Sequence, residues 1–276
     1  MSQEEFRLIS ELIYRHCGLY FADDSKFLLE SRLTPTLHRL GLQTFRDYYL
    51  YLRFHKKKDV ELEHCVDSLT TNETYFFREK PQLRAFSEEI LPALRKEKAA
   101  RGERVLRIWS AGCSTGEEPY TIAMLILEQP DLVGWRVEII GTDVSQRVLQ
   151  MARQGLFNPS SFRLTEPQYR DRYFEPVGKQ FRIREDVRQL VSFGHLNLLD
   201  HRRTGLLQSM DVIFCRNVII YFDDVIKKRV VGSFFDKLVP GGYLLLGHSE
   251  SLMNISSAFE LEHLKHDLVY RRPASA

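Results

Sequence analysis

The sequence predicts an α/β fold in which a mostly parallel sheet, covered by helices on both faces, is preceded by an all-helical N-terminal domain. Two observations support this. Residues 1–94 show only the apolar spacing of helices, and after Arg104 short apolar strands alternate with amphipathic helices. The chain has 276 residues, of which 43% are hydrophobic, which is enough material for two unequal domains with buried cores.

The N-terminal domain is expected to consist of short helices. Apolar spacing places helical stretches at residues 6–13, 27–37, 42–53 and 60–69. Pro35 is expected to perturb or restart the second of them, because proline removes a helical donor. Residues 69–78 should form a loop that enters a helix at Pro81. The basic stretch 95–104 is then predicted to be a linker between the domains.

The second predicted domain covers residues 105–276. Its strands are predicted at residues 105–109, 136–142, 190–194, 211–215 and 243–247, with two short strands within 259–270. Helices are predicted at 117–128, from about 145, and at 223–238. Residues 155–189 interrupt the alternation, and 180–184 (QFRIR) looks like a small strand, so we predict an inserted β subdomain there.

The ligand site is expected beyond the carboxyl ends of the parallel strands. Three elements meet there: the small-residue turn 110–116, which contains Gly112, then Asp143, and then Cys215-Arg216-Asn217. A carboxylate after the second strand can accept hydrogen bonds from both ribose hydroxyls of a nucleoside cofactor. Taken singly, the turn and a helix-capping Asp143 have ordinary structural explanations. Together they favour a nucleoside-cofactor site.

The charge beside this turn indicates which nucleoside cofactor would bind there. The turn is not Gly-x-Gly-x-x-Gly, and Glu117 and Glu118 open the following helix, where a pyrophosphate would need positive potential. S-adenosylmethionine carries an ammonium and a sulfonium. The electrostatics therefore favour it over NAD.

Positive charge is concentrated near the N-terminus. The net charge is +2, yet Lys26–Lys58 holds eight basic residues against two acidic ones. Arg32 and Arg39 are seven residues apart and so share one helix face. Two interpretations stay open: a solvated helix face, or a docking surface for nucleic acid or an acidic protein helix.

Several classes of protein are disfavoured. The four cysteines include no Cys-x-x-Cys pair and the nine histidines no metal-ligand spacing, so we expect no metal and a reducing, cytoplasmic location. No apolar run approaches the ~20 residues of a membrane span. The acidic N-terminus lacks a hydrophobic signal core, so secretion is not expected.

Four stretches resemble a known family. They are residues 69–78 (LTTNETYFFR), 109–120 (WSAGCSTGEEPY), 214–222 (FCRNVIIYF) and 247–250 (GHSE). In this order they resemble the chemotaxis receptor methyltransferases, the CheR-type protein-glutamate methyltransferases. The resemblance implies a helical N-terminal domain and a Rossmann-like methyltransferase domain with a β insertion. It also implies transfer of methyl groups from S-adenosylmethionine to glutamates of the chemoreceptor cytoplasmic helices, leaving S-adenosylhomocysteine. We expect the protein to be a monomer.

The resemblance also implies roles for individual residues. The implied cofactor-binding set is Asn72, Thr74, Arg78, Gly112, Glu117, Asp143, Asn197, Leu198, Arg216 and Asn217. The first three would close over the cofactor from the N-terminal side. Glu117 would hold the methionine ammonium or adjacent groups and Asp143 the ribose. The adenine would lie against residues 197–198, and the methionine end against residues 216–217.

Catalysis is expected to involve Tyr221, near the transferred methyl, together with Arg78. Plain core packing is the other interpretation for Tyr221 and, more strongly, for Phe76 and Phe77. A glutamate carboxylate is already ionised at neutral pH, so it needs no general base. Positioning of oxygen, methyl and sulfur should then supply most of the rate.

The insertion departs from the family pattern at residues 174–181 (FEPVGKQF), where a single glycine, Gly178, joins its strands. Family members that grip a receptor's C-terminal pentapeptide carry a longer, glycine-richer loop. We therefore expect no binding of a receptor-tail pentapeptide. Two alternative functions stay open: a nucleic-acid methyltransferase that uses the basic helix for phosphates, and a sensor or scaffold that binds the cofactor without transfer.

Overall fold

The computed structural model describes residues 1–70 and 73–274, and it begins with four helices. They are α1 (Gln3–Cys17), α2 (Lys26–Leu40), α3 (Phe45–Phe54) and α4 (Lys58–Leu69). A capping box starts α1: the Ser2 hydroxyl accepts from the Glu5 N–H, and the Glu5 carboxylate accepts from the Ser2 N–H. Contrary to expectation, the second helix does not restart at Pro35. The proline is exposed, so water can bond the Ser31 carbonyl that it leaves without a donor.

One continuous helical segment follows. It comprises α5 (Lys80–Ala85), a π-helical turn (Phe86–Ile90) and α6 (Leu91–Ala100), and Pro81 lies in its first turn as predicted. Residues 95–104, which we expected to be a linker, are the end of this helix and the turn before the first strand. Phe86 and Leu94 are buried in a core that they share with the sheet. We therefore propose a domain boundary between α4 and α5, earlier than the expected residue 94.

Ten strands and six further helices complete the described chain. The strands are β1 (Val105–Ala111), β2 (Arg136–Asp143), β3 (Leu156–Phe157), β4 (Phe174–Val177), β5 (Gln180–Ile183), β6 (Val191–His195), β7 (Met210–Cys215), β8 (Leu238–Leu246), β9 (Glu260–His263) and β10 (Leu268–Arg271). The helices are α7 (Glu117–Leu127), α8 (Gln146–Gln154), α9 (Pro167–Tyr173), α10 (Glu185–Arg188), α11 (His201–Leu206) and α12 (Asp224–Lys237).

The main sheet has seven strands in the order β6-β2-β1-β7-β8-β10-β9. The first five are parallel, and β10 and β9 add an antiparallel edge. This confirms the predicted fold class. From β1 the chain builds outward through β2 to β6 and then crosses back to β7. The strand order therefore switches between β1 and β7, where a ligand crevice is expected.

The β insertion is a separate antiparallel sheet in the order β3-β5-β4. Strands β4 and β5 are joined by a two-residue turn, since Val177 pairs with Gln180. Helix α9 packs against β4 of this sheet, α10 packs against α7 and β6, and the sequence pattern did not predict either helix. The first residues of β8 lie between the helix predicted at 223–238 and the strand predicted at 243–247. They extend the strand from Leu238, with an irregular register opposite Met210 and Val212.

Two apolar cores lie on opposite faces of the main sheet. Helices α1–α4 share one with α12 and with inward-facing residues such as Trp109 and Ile213. Helices α5–α7 and the insertion share the other, which includes Ile108 and Phe214. The N-terminal helices and the insertion therefore approach the sheet from different sides. No helix in the described part of the chain is long and apolar enough to cross a membrane.

Candidate active site

A cavity of about 320 Å³ opens at the carboxyl ends of β1, β2, β6 and β7. Its walls come from the segments that follow these strands and from the end of α1, Thr70, residues 73–75 and Arg78. The lining includes most of the predicted site residues, namely Thr74, Arg78, Gly112, Asp143, Asn197, Leu198, Arg216, Asn217 and Tyr221. Asn72 lies outside the described residues.

The small residues of the turn after β1 let its backbone lie close to neighbouring segments. The N–H groups of Gly112 and Cys113 both donate to the Thr142 carbonyl, which ties the turn to β2. Gly112 has φ +78°, and a Cβ there would lie 2.4 Å from Val218 Cγ2. Only glycine fits both this backbone conformation and this contact.

Asp143 ends β2 and faces the cavity. Its Oδ2 accepts from the Ser114 N–H at 2.9 Å, and its Oδ1 accepts from the Ser145 N–H at 2.9 Å. Ser145, not Asp143, caps α8, so the simpler capping explanation for Asp143 does not apply. Burial raises the pKa of Asp143, while its two backbone donors oppose that shift.

The two glutamates that open α7 differ in direction. The Glu117 carboxylate accepts from the Thr115 hydroxyl at 2.6 Å and from the Ser161 hydroxyl at 3.0 Å, and Glu117 is not part of the cavity wall. Glu118 is part of it, where it accepts from Ser110 Oγ at 2.7 Å. Glu118, and not the predicted Glu117, therefore lines the cavity, because adjacent helical residues point about 100° apart. Burial raises the pKa of both carboxyls.

Arg216 joins two sides of the cavity. Its Nη1 donates to Glu118 Oε2 at 3.2 Å, and its Nη2 donates to the Arg78 carbonyl at 2.5 Å and to Glu79 Oε2 at 3.1 Å. The Arg216 side chain is only 3% exposed. Nothing in the sequence marked Glu79 as a partner, since it lies 137 positions from Arg216.

Within the described chain, Asn217 carries an unpaired amide oxygen beside the cavity. The residue lines the cavity, and its Oδ1 is buried without a hydrogen-bond donor among the described residues. Buried polar atoms are normally paired, so a ligand ammonium, amide or hydroxyl would complete this site. The glycine cradle, Glu118 and Asn217 together fit the cationic nucleoside that the sequence predicted.

Residues 73–79, here called the strap, cover the cavity from the side of the insertion. Thr74 and Arg78, which were predicted to close over the cofactor, line the cavity. Phe76 and Phe77 are buried in the insertion-side core, which supports the packing interpretation for both. Phe77 and Glu79, on either side of Arg78, have left-handed backbones with φ +59° and +57°.

Two residues of the cavity wall, Asn197 and Tyr221, also attach the helical domain. Asn197 Nδ2 donates to the His16 carbonyl at the end of α1 at 2.6 Å, and Asn197 Oδ1 accepts from the Leu199 N–H. The Tyr221 carbonyl accepts from the Tyr20 N–H at 3.0 Å. Two walls of the cavity are therefore fastened to the segment from α1 to α2.

The two predicted docking arginines lie outside the cavity. Arg39 Nη2 lies 2.6 and 2.7 Å from the two oxygens of Glu61, whose side chain is 4% exposed, and Tyr48 donates to the same carboxylate. Arg32 Nη1 donates to the Ser68 carbonyl at 3.3 Å. Arg39 therefore neutralises a buried acid, a role the sequence spacing did not reveal.

Within residues 1–70 and 73–274, no group of three or more His, Cys, Asp or Glu side chains is placed to hold a metal ion. Cys17, Cys65, Cys113 and Cys215 are buried free thiols. Burial raises the pKa of Cys17 and of Cys65 to about 12, so neither is a thiolate at neutral pH.

Comparison with known protein families gives two matches. Residues 4–70 match the CheR methyltransferase all-alpha domain, and residues 72–268 match the CheR methyltransferase SAM binding domain. Among individual proteins, the chain is 38% identical to chemotaxis protein methyltransferase 2 of Vibrio cholerae, over 99% of this chain and 94% of that protein. It is 35% identical to the chemotaxis protein methyltransferase of Escherichia coli, over 95% of this chain and 89% of that protein.

Solved structures are more distantly similar. An O-methyltransferase family protein from Burkholderia thailandensis is 14% identical with a TM-score of 0.43, over 92% of this chain and 72% of that one. Magnesium protoporphyrin IX methyltransferase from Synechocystis, solved with bound SAM, is 13% identical with a TM-score of 0.35, over 80% of this chain and 93% of that one.

Proposed function

The chain belongs to the CheR methyltransferase family, and on this premise we propose that it methylates glutamate side chains of chemoreceptor cytoplasmic helices. It is a chemotaxis methyltransferase that uses S-adenosylmethionine. The products would be a glutamate methyl ester and S-adenosylhomocysteine. The finer assignment, to glutamate carboxylates of a receptor, rests on the names of the relatives and on the chemistry of the site.

The observation that best supports the proposal is the buried Glu118–Arg216 pair on the cavity wall beside Asp143. A methionine end bears one ammonium and one carboxylate, and this pair offers one charge of each sign. Asp143 would bind the ribose, and the orphaned Asn217 Oδ1 would accept from the methionine end. A dinucleotide pyrophosphate would instead be repelled by Glu118.

The mechanism requires little acid–base chemistry from the protein. When bound, the cofactor supplies a methyl group on a sulfonium sulfur. The substrate carboxylate is ionised at neutral pH, so the residues around the cavity need only orient it and exclude water. We propose that Tyr221 and Arg78, on opposite walls, limit the space in which that carboxylate approaches.

The direct test is incubation with labelled S-adenosylmethionine and membranes that contain chemoreceptors. We expect label in receptor protein that is released by mild base, as glutamate methyl esters are. Asp143→Ala should lose most of this label. Label in RNA or DNA would instead support a nucleic-acid methyltransferase, and cofactor binding without any label would support a sensor or scaffold.

We also propose that Arg32 and Arg39 orient an acidic receptor helix. Arg39 keeps about half of its side chain exposed despite its pair with Glu61, so it can still contribute positive potential. Changing it to glutamate would place a second acid beside Glu61, so Arg32→Gln with Arg39→Gln is the cleaner test. We expect slower receptor methylation at low salt with unchanged cofactor affinity. Arg202→Gln, an exposed position on α11, is the matched control.

Finally, we propose that the insertion does not bind a receptor-tail pentapeptide. The turn between β4 and β5 holds only Gly178 and Lys179, with Gly178 at φ +61°. This leaves little freedom to reshape the edge for an added peptide strand. Removing the last five residues of the receptor should leave its methylation rate nearly unchanged. Micromolar binding of the free tail peptide would contradict the proposal.

A further inference from the structure

Glu250 makes an unusual set of contacts beside the cofactor cavity. Its Oε2 accepts from the backbone N–H groups of Gly247 at 2.7 Å and Asn217 at 2.8 Å. Its Oε1 accepts from the N–H groups of Val218 at 2.9 Å and Ile220 at 3.2 Å. One carboxylate therefore binds four backbone donors, three of which belong to the segment that follows β7.

That segment, residues 216–222, is here called the β7 loop. Most of its residues line the cavity, including Arg216, Asn217 and Tyr221. Asn217 has φ +59°, a conformation that non-glycine residues seldom adopt without support. Its N–H and those of Val218 and Ile220 point to Glu250, so the carboxylate satisfies donors that the end of β7 leaves without a strand partner.

Two glycines let the β7 loop lie where it does. On one side Val218 packs against Gly112, where a Cβ would lie 2.4 Å away. On the other side a Cβ on Gly247 would lie 2.9 Å from both the Asn217 nitrogen and Glu250 Oε2. The loop is thus confined between the glycine turn and the end of β8. Glu250 holds its backbone in that space.

We propose that Glu250 is a positioning residue for methyl transfer, because its carboxylate holds the β7 loop in the conformation that presents Asn217 and Tyr221 to the cavity. Glu250 acts through these residues and does not itself line the cavity. The part of this inference that concerns turnover rests on the proposed function. The part that concerns cofactor binding does not, since S-adenosylhomocysteine binds without any receptor.

Glu250→Gln is the sharpest variant. It keeps the length of the side chain and one acceptor oxygen, but its NH₂ group faces two N–H donors that it cannot bind. We expect S-adenosylhomocysteine affinity to fall about tenfold, consistent with loss of hydrogen bonds to a charged group. The kcat of receptor methylation should fall about 10²-fold, as expected when site residues are misplaced by about 1 Å. The KM for receptor should change little.

Glu250→Asp restores the carboxylate on a shorter side chain and should recover part of both losses. Glu260→Gln, an exposed position on β9, is the matched control. All variants are compared at a temperature where circular dichroism shows them fully folded. A folded Glu250→Gln protein with wild-type affinity and wild-type kcat would overturn the proposal, because Glu250 would then matter only for stability.

If Glu250→Gln does not fold, Glu250→Asp supplies the test. Reduced kcat with unchanged receptor KM supports the proposal, and wild-type kinetics overturn it. A wild-type protein that binds S-adenosylhomocysteine but labels no receptor would refute the proposed function alone. The effect of Glu250 on cofactor affinity would still decide the present inference.

Discussion

The two segments that cover the cofactor cavity are held in place by different forces. The β7 loop is held through its backbone, by three of its N–H groups that donate to the single carboxylate of Glu250, which also accepts from the Gly247 N–H after β8. The strap is held mainly through its side chains, by rings of the insertion around Phe76 and by contacts of Arg163 with Glu73 and Tyr75, although the Phe76 N–H also donates to the Ser161 carbonyl. Arg216 connects the two, since it extends from the loop to Arg78 and Glu79.

This difference has consequences for substitutions. A backbone fastening fixes φ and ψ directly, so its loss should alter the site chemistry more than the free energy of unfolding. A side-chain fastening made of buried rings contributes mainly apolar burial, so its loss should alter stability first. Substitutions in the two segments should therefore differ in which property they change first.

The largest effect is expected at Phe76, which is fully buried among Phe157, Phe162 and Phe174. Phe76→Ala should lower the free energy of unfolding by about 3–5 kcal/mol, through lost burial and a residual cavity. Urea unfolding followed by tryptophan fluorescence measures this. Phe76→Leu should cost clearly less. A loss under about 1 kcal/mol for Phe76→Ala would mean that packing does not hold the strap.

Asp143 belongs to neither segment and gives a reference for direct ligand contact. Asp143→Ala should weaken S-adenosylhomocysteine binding by roughly 1.5–3 kcal/mol, or one to two decades, since it removes charged acceptors for the ribose. Calorimetry on the folded variant measures this, and Asp143→Asn should lose less because it keeps one acceptor oxygen. Unchanged affinity would reject the ribose assignment.

The sequence predicted the fold well because strand and helix periods are local signals. The glycine turn and Asp143 could be placed for the same reason, since each directly follows an apolar strand and parallel strands end at one edge. The resemblance to the family then added the strap and the β7 loop. These are the parts of the site that local patterns or quoted motifs can identify.

The rest of the site depends on rotation and on distant contacts. Deciding whether Glu117 or Glu118 faces the cavity required knowing how α7 is turned about its axis. The partners of Glu250 lie up to 33 positions away, and Glu61 lies 22 positions from Arg39. Hydrophobic periodicity carries no information about contacts between residues so far apart in the sequence. For that reason the sequence offered Arg39 as a free docking charge, although it is bound to a buried acid.

Acid pH should affect the buried carboxylates at the cavity, among them Glu118 and Glu250 besides Asp143. Burial raises the pKa of Glu118 and of Glu250, with Arg216 opposing the shift at Glu118 and the four N–H groups opposing it at Glu250. Above the raised pKa each carboxylate is charged at a cost to the fold. As the pH falls through it, protonation relieves that cost, so the stability of the ligand-free protein gains from these two groups.

Cofactor affinity should fall as the pH falls, although the stability of the ligand-free protein rises. Protonated Glu118 no longer attracts an ammonium, and protonated Glu250 loses acceptor capacity for the β7 loop. Between about pH 7.5 and pH 5 we expect S-adenosylhomocysteine affinity to fall as the pH falls. Calorimetry across this range measures it. Glu118→Gln should bind more weakly and flatten the profile, and a flat wild-type profile would contradict the assignment.

The smallest effect is expected at Arg163, which fastens the strap to the insertion. Its Nη2 lies 2.7 Å from Glu73 Oε1, and its guanidinium lies 3.7 Å from the Tyr75 ring centroid. The side chains of Arg163 and Glu73 are both substantially exposed. The ion pair therefore contributes about 0–1 kcal/mol to holding the strap, and the ring contact about 0.5–1 kcal/mol. Arg163→Ala should therefore weaken S-adenosylhomocysteine binding only about two- to fivefold.

Added salt and a matched control sharpen this last prediction. The loss in Arg163→Ala should shrink at high salt, because exposed charges are screened. Arg163→Lys should retain the charge but not the planar stacking. Its S-adenosylhomocysteine affinity should therefore lie between those of Arg163→Ala and the wild type. Arg182→Ala, on β5 of the same insertion and without an ion pair among the described residues, should bind like wild type. A loss above tenfold for Arg163→Ala would show that charge, and not the rings around Phe76, holds the strap over the cavity.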